Sequence, residues 1–233
     1  MAPGFRLRDG DLGPVQQSPV TCGSACLTVA RMLVSPAFAR WITTGEGPRG
    51  DAPGGETEQE RFAAYERVVM SRTNRLLPGG GRLNVPWPRA LGTPPWGALK
   101  ELEYGAARHG TDYETRLLRL HRRSGLRAAH ARLVEVVADG EPALLYIGSH
   151  LLPRHVTLVL PGDGDRVLDV YDPATGQVSL LDEARFVRRD LRIAGWDVPW
   201  IVVQPNGTRK VQAFGFATAN GSAARAPRAS ASA

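Results

Sequence analysis

The run Gln16-Gln17-Ser18-Pro19-Val20-Thr21-Cys22-Gly23-Ser24-Ala25-Cys26 sets a thiol behind a proline and among residues of small bulk. Cysteine attacks as its thiolate, and the positive end of a helix dipole favours that form. Leu27, Ala30, Arg31 and Val34 keep a spacing of three to four, which predicts a helix from about Thr21 to Val34, punctuated by Pro36. Cys22 would then stand at the helix start, with Gly23, Ser24 and Ala25 leaving room for a carbonyl group. A thiol nucleophile also needs a base, a group that orients the base, and donors for the oxyanion. His155 opens the apolar run Val156 to Leu160, far downstream of Cys22. Such a separation suits a cleft whose two walls are a helix and a sheet. His150, just upstream, competes for the role; His109, His121 and His130 lie in helical or charged segments.

Asp172 ends a second extended run, Val167 to Tyr171. Gly162-Asp163-Gly164-Asp165 is a turn signal between the two runs, so they should form an antiparallel hairpin. The end of one strand then lies beside the start of the other, where the Asp172 carboxylate can fix the tautomer of His155. Asp172-Pro173-Ala174-Thr175-Gly176 is also a turn signal in its own right, and the two readings are compatible. Gln16, or its neighbour Gln17, offers a carboxamide N–H that could join the backbone N–H of Cys22 as an oxyanion donor. Taken singly, Cys22 reads as a buried structural thiol and Gln16 as a surface residue. The ordered set is what points to acyl transfer.

Gln16-x5-Cys22-Gly23, His155-Val156 at the head of an apolar strand, and Asp172-Pro173 together resemble the C39 family of papain-like cysteine peptidases, which includes leader-peptide-processing domains of bacteriocin exporters. The segment Gly140 to Tyr146 resembles the family as well, and the likeness covers residues 12 to 40 and about 94 to 185. It implies a papain-like fold, Cys22 as nucleophile, His155 as base, Asp172 as its orienter and Gln16 in the oxyanion hole. The expected activity is that of a peptidase or amidase acting on a peptide-like substrate through a thioester acyl-enzyme. The alternatives on the same site are an acyltransferase and a non-catalytic peptide-binding module. Residues 42 to 93 depart from a minimal C39 domain and read as an insertion or replacement that can lid or redirect the cleft. No transporter segments follow, so an exporter-fused domain is not expected.

The elements that must position these residues come helices first and strands last. A loop is predicted over 43 to 55, and a polar amphipathic helix over about Glu56 to Leu77 with Phe62, Tyr65, Val69 and Met70 on its apolar face. A Gly/Pro-rich stretch follows from Pro78 to Pro95, then helices over Trp96 to His109 and Ala128 to Ala138. Strands are predicted around Tyr113 to Leu117, Pro142 to Ile147, His155 to Leu160, Val167 to Tyr171, Gln177 to Leu181 and Trp200 to Gln204. This order argues an α+β fold with helices on one side of an antiparallel sheet. It gives a single domain over 1 to 217 and a disordered Ala/Ser/Gly/Arg tail over 218 to 233.

Composition narrows the function classes. The 233 residues are 42% hydrophobic and 22% charged, which suits a globular chain with a full core. The net charge of +6 comes from scattered arginines without aromatic interleaving, so no nucleic-acid partner is expected. Two cysteines cannot make a disulfide framework, and Cys22 and Cys26 lack further ligands for a metal, so neither metal nor cofactor is expected. Gly79-Gly80-Gly81 lacks the lysine of a phosphate loop. No apolar run suits a membrane span or signal peptide, and a cytoplasmic location is expected.

Overall fold

A computed structural model describes residues 4–47, 54–74, 87 and 92–209. The tail over 218 to 233, the glycine run at 79–81, and parts of the loops over 43 to 55 and 78 to 95 lie outside the described residues.

Helix α1 runs from Cys22 to Val34. Pro36 does end it, but also opens α2, Pro36–Thr44, which the sequence reading did not foresee. A proline at the first helical position gives up an N–H that has no partner there anyway. Ser35 caps the new helix by accepting from the Phe38 N–H at 3.4 Å. Helix α3, Glu58–Thr73, starts on a capping box in which Thr57 and Glu60 satisfy each other's backbone N–H groups. Helix α4, Pro95–Glu101, runs into a π-helical turn over Leu102–Ala106. Then come β1 (Thr111–Leu117), α5 (Arg123–Ala138), β2 (Ala143–Gly148), β3 (Pro153–Val159), β4 (Val167–Tyr171), β5 (Val178–Asp182), α6 (Glu183–Arg188) and β6 (Val198–Arg209).

The six strands form one antiparallel sheet in the order β1-β6-β2-β3-β4-β5. The chain is α+β, and the N-terminal helices pack on this sheet as the order of elements implied. Helices are not confined to one side, however. Leu144, Tyr146, Val156 and Leu158 join α1 to α4 in one core, whereas Leu145, Ile147, Val159 and Val170 join α5 and α6 in another. The reason is visible in β2 itself: every residue of Ala143 to Gly148 is buried, and a strand with no polar face must be covered twice.

Helix α3 is part of the first core rather than a peripheral arm. Phe62, Tyr65 and Val69 are buried against α1 and α2, and the Tyr65 ring meets Phe38 edge-on at 4.6 Å. Each such buried side chain contributes about 1.5–3 kcal/mol of apolar burial. No single described helix is long and apolar enough to cross a membrane. Helices α1 and α2 would pass that test only together, across a bend of 117°.

Candidate active site

Cys22 is the first residue of α1 and is 2% exposed. No side chain caps this helix start. The Thr21 hydroxyl turns back instead, donating to the Ser18 carbonyl at 2.9 Å and accepting from the Ser18 N–H at 3.2 Å. The partial positive charge of the first turn is therefore not spent on a capping oxygen, and it faces the sulfur.

His155 lies near the start of β3 and Asp172 directly follows β4; they are 7% and 6% exposed. The pairing Leu158↔Tyr171 sets the hairpin register and draws the two together. The His155 Nε2 stands 2.7 Å from Asp172 Oδ1. Cys22 lies close enough that its thiol helps raise the imidazole pKa, and with Nε2 engaged by Asp172 the nitrogen left for sulfur is Nδ1. Asp172 also holds its turn: it accepts from the Ala174 N–H at 2.9 Å and the Thr175 hydroxyl at 3.1 Å. The turn and the orienting carboxylate are one structure.

The electrostatics follow from these contacts. Burial by itself would lower the imidazole pKa, but the hydrogen bonds and charges of Asp172 and Cys22 outweigh it and raise His155 to about 9. Burial pushes the Asp172 carboxyl up, while donation from His155, Ala174 and Thr175 brings it below the usual carboxylate range. The second thiol is set apart by its burial. Cys26 is fully buried, donates to the Val156 carbonyl at 3.4 Å, and is pushed to a high pKa by burial.

Gln16 is held in place by the lead-in chain. That segment runs along the outer edge of β5: Val178 N–H donates to Asp11 at 3.1 Å and Gly13 N–H to Gly176 at 2.7 Å. Gly176 sits at φ 76°, and a Cβ there would come within 2.4 Å of the Gly13 carbonyl, so only glycine allows this approach. The Tyr171 hydroxyl donates to the Pro14 carbonyl, and Gln16 N–H donates to the Pro173 carbonyl at 2.8 Å. Gln16 is thus tied to the turn that carries Asp172. Its carboxamide oxygen is buried and lacks a hydrogen-bond partner among the described residues. A half-turn of that group exchanges the oxygen for two N–H donors. Gln17 is exposed, and its carboxamide donates to the Val15 carbonyl at 3.3 Å.

The other histidines lie apart. His109, His121 and His150 are exposed, and His130 is buried against Phe186 in the second core. Residues that nothing in the sequence singled out complete the site. Gly92, at φ 73°, is close enough that a Cβ there would lie 3.7 Å from the Cys22 Sγ. Buried Thr93 bonds Ser24 at 3.2 Å through its hydroxyl and Tyr146 at 3.0 Å through its carbonyl. A Cβ on Gly23 would fall 2.6 Å from the Thr93 Cβ. Gly23→Ala should therefore cost about 1–3 kcal/mol through overpacking, read as a lower urea midpoint; an unchanged midpoint would mean this wall gives way freely.

The cysteine at the start of α1, the imidazole and the carboxylate thus meet where that helix packs on the antiparallel sheet. Among the solved structures similar to this chain are the following two. One is the peptidase domain of Streptococcus ComA, a bi-functional ABC transporter involved in a quorum-sensing pathway (16% identity, 83% of this chain and 97% of that chain, TM-score 0.36). The other is the Pseudomonas avirulence protein AvrPphB (11% identity, 82% of this chain and 95% of that chain, TM-score 0.42). No family model and no curated protein matches the sequence.

Proposed function

We propose that this chain is a cysteine peptidase or amidase that cleaves a peptide-like substrate through a thioester acyl-enzyme. The observation that carries the reading is the buried hydrogen bond between Asp172 and His155, with Cys22 at an uncapped helix start near enough to act on the imidazole. Cys22 gives its proton to His155 and its sulfur adds to the substrate carbonyl carbon. The Cys22 N–H and the Gln16 carboxamide receive the oxyanion. The imidazolium then protonates the leaving amine as the C–N bond breaks, leaving the thioester. His155 next takes a proton from water, whose oxygen attacks the thioester carbonyl, and Cys22 leaves as the thiol. Asp172 holds the ring in place and stabilises its charge throughout. A reducing compartment such as the cytoplasm suits a free nucleophilic thiol.

Iodoacetamide, with the adduct mapped by mass spectrometry, tests the reading. Cys22 in the folded chain should react faster than the same thiol in denatured chain, while buried Cys26 stays unmodified. A folded Cys22 slower than its denatured counterpart would overturn it.

A further inference from the structure

Glu66 lies in the middle of α3 and is 0% exposed, although apolar side chains already dock that helix. Phe62, Tyr65 and Val69 do so with apolar contacts. The hydrogen-bonding partner of Glu66 lies instead in the loop in front of Cys22: Gln17 N–H donates to its two carboxylate oxygens at 3.2 and 3.4 Å. The Thr21 hydroxyl, which donates to the Ser18 carbonyl, lies near enough to draw the carboxyl pKa down. Burial pushes the Glu66 carboxyl above its ordinary pKa, against the pull of Thr21, Gln17 and the neighbouring charge of Arg67. Placing an acid there is costly unless the bonds it makes are needed.

Those bonds have a particular geometry. Two successive backbone N–H groups bracket Gln16: its own is tied to Pro173, beside the carboxylate that orients His155, and the next is tied to Glu66. Thr21, near Glu66, immediately precedes Cys22. The chain at Gln16 and Gln17 is held between the sheet turn and α3, ahead of Cys22.

We propose that Glu66 is a positioning residue for the acyl-transfer site, fixing this loop so that the Gln16 carboxamide and the Cys22 N–H keep their places beside the sulfur. The inference rests on the reading of Cys22 as the nucleophile. Glu66 lies in the stretch that departs from the C39 pattern, so this brace comes from the part of the chain peculiar to it.

Two probes of the full-length chain separate positioning from mere support. Iodoacetamide alkylates sulfur by displacement at a saturated carbon and forms no oxyanion. p-Nitrophenyl acetate acylates sulfur through a tetrahedral oxyanion. In Glu66→Leu, which keeps the volume but no acceptor, alkylation of Cys22 should stay within about twofold while acylation slows about 10²-fold, the usual effect of losing an oxyanion donor. Glu66→Gln keeps the reach and one acceptor, and should acylate within about threefold of the parent. Glu66→Asp keeps the charge but falls short of the loop, and should lose about tenfold. This Gln-above-Asp order decides the matter even if Glu66→Leu does not fold. Acylation unchanged in folded Glu66→Leu, alkylation falling in step with acylation, or Asp above Gln would overturn the proposal. A parent chain that alkylates at Cys22 but is never acylated by the ester would instead overturn the enzymatic reading, before any Glu66 variant is made.

Discussion

Cys22→Ala is expected to lower p-nitrophenyl acetate turnover by about 10⁵–10⁶-fold, His155→Ala by a comparable factor, and the double variant no further than either alone. The non-additivity is the informative part. If the sulfur and the imidazole act as one unit, as proposed, removing either member removes the function of both. Unfolding is not a competing account for the first variant. Cys22 is a small buried residue beside Gly23, Ser24 and Ala25, and alanine in its place loses little packing. Thermal unfolding midpoints of the two chains should accordingly agree within a few degrees. Turnover that survives within tenfold in a folded Cys22→Ala chain would move the chemistry away from this thiol.

The second large effect belongs to Asp172. Asp172→Ala should cost about 10²–10⁴-fold in the same turnover, because the imidazole loses both its tautomer and its counter-charge. Its pH signature has a definite sign. His155 is held at about 9, above its ordinary value, by Asp172 and Cys22. A raised imidazole pKa stabilises the fold fully below the unfolded value of about 6.5, and that contribution is lost as pH rises through about 9. A shift of this size is worth about 3 kcal/mol. Without Asp172 the imidazole pKa falls, so the stability gap between the parent and Asp172→Ala should be widest near pH 6 and shrink by up to that amount by pH 10. The alkaline limb of the pH–rate profile should move to lower pH in the variant. The Asp172 carboxyl, held low, reports the same contact from its acidic side: its contribution is present above the ordinary carboxylate range and is lost as pH falls through that depressed value. Urea titrations at a series of pH values check the trend. A gap that is flat, or that widens toward alkaline pH, would show that Asp172 does not hold the imidazole's proton.

Much of the scaffold was legible because it is written in local patterns. The 3.6-residue period placed α1 to within a residue, and the Gly-Asp-Gly-Asp signal separated β3 from β4. Asp-Pro-Ala-Thr-Gly marked the turn that Asp172 closes through its own side chain. Other elements carried weaker local signals. Helix α2 begins at a residue that reads as a stop, and α6 is only six residues long. The second helical layer was announced by the unbroken apolar run of β2, but the order of elements argued the other way.

Residue types and their order along the chain sufficed to nominate Cys22, His155, Asp172 and Gln16, since acyl transfer by a thiol requires those chemical groups and few others. Which of two adjacent glutamines buries its carboxamide oxygen was decided only in three dimensions, where Gln16 is tied to Pro173 and Gln17 is exposed. The same holds for Gly92, Thr93 and Glu66. Glycine, threonine and glutamate are common and carry no mark of their partners. A buried carboxylate on one helix and a loop many residues away become related when packing brings that carboxylate to a backbone N–H of the loop.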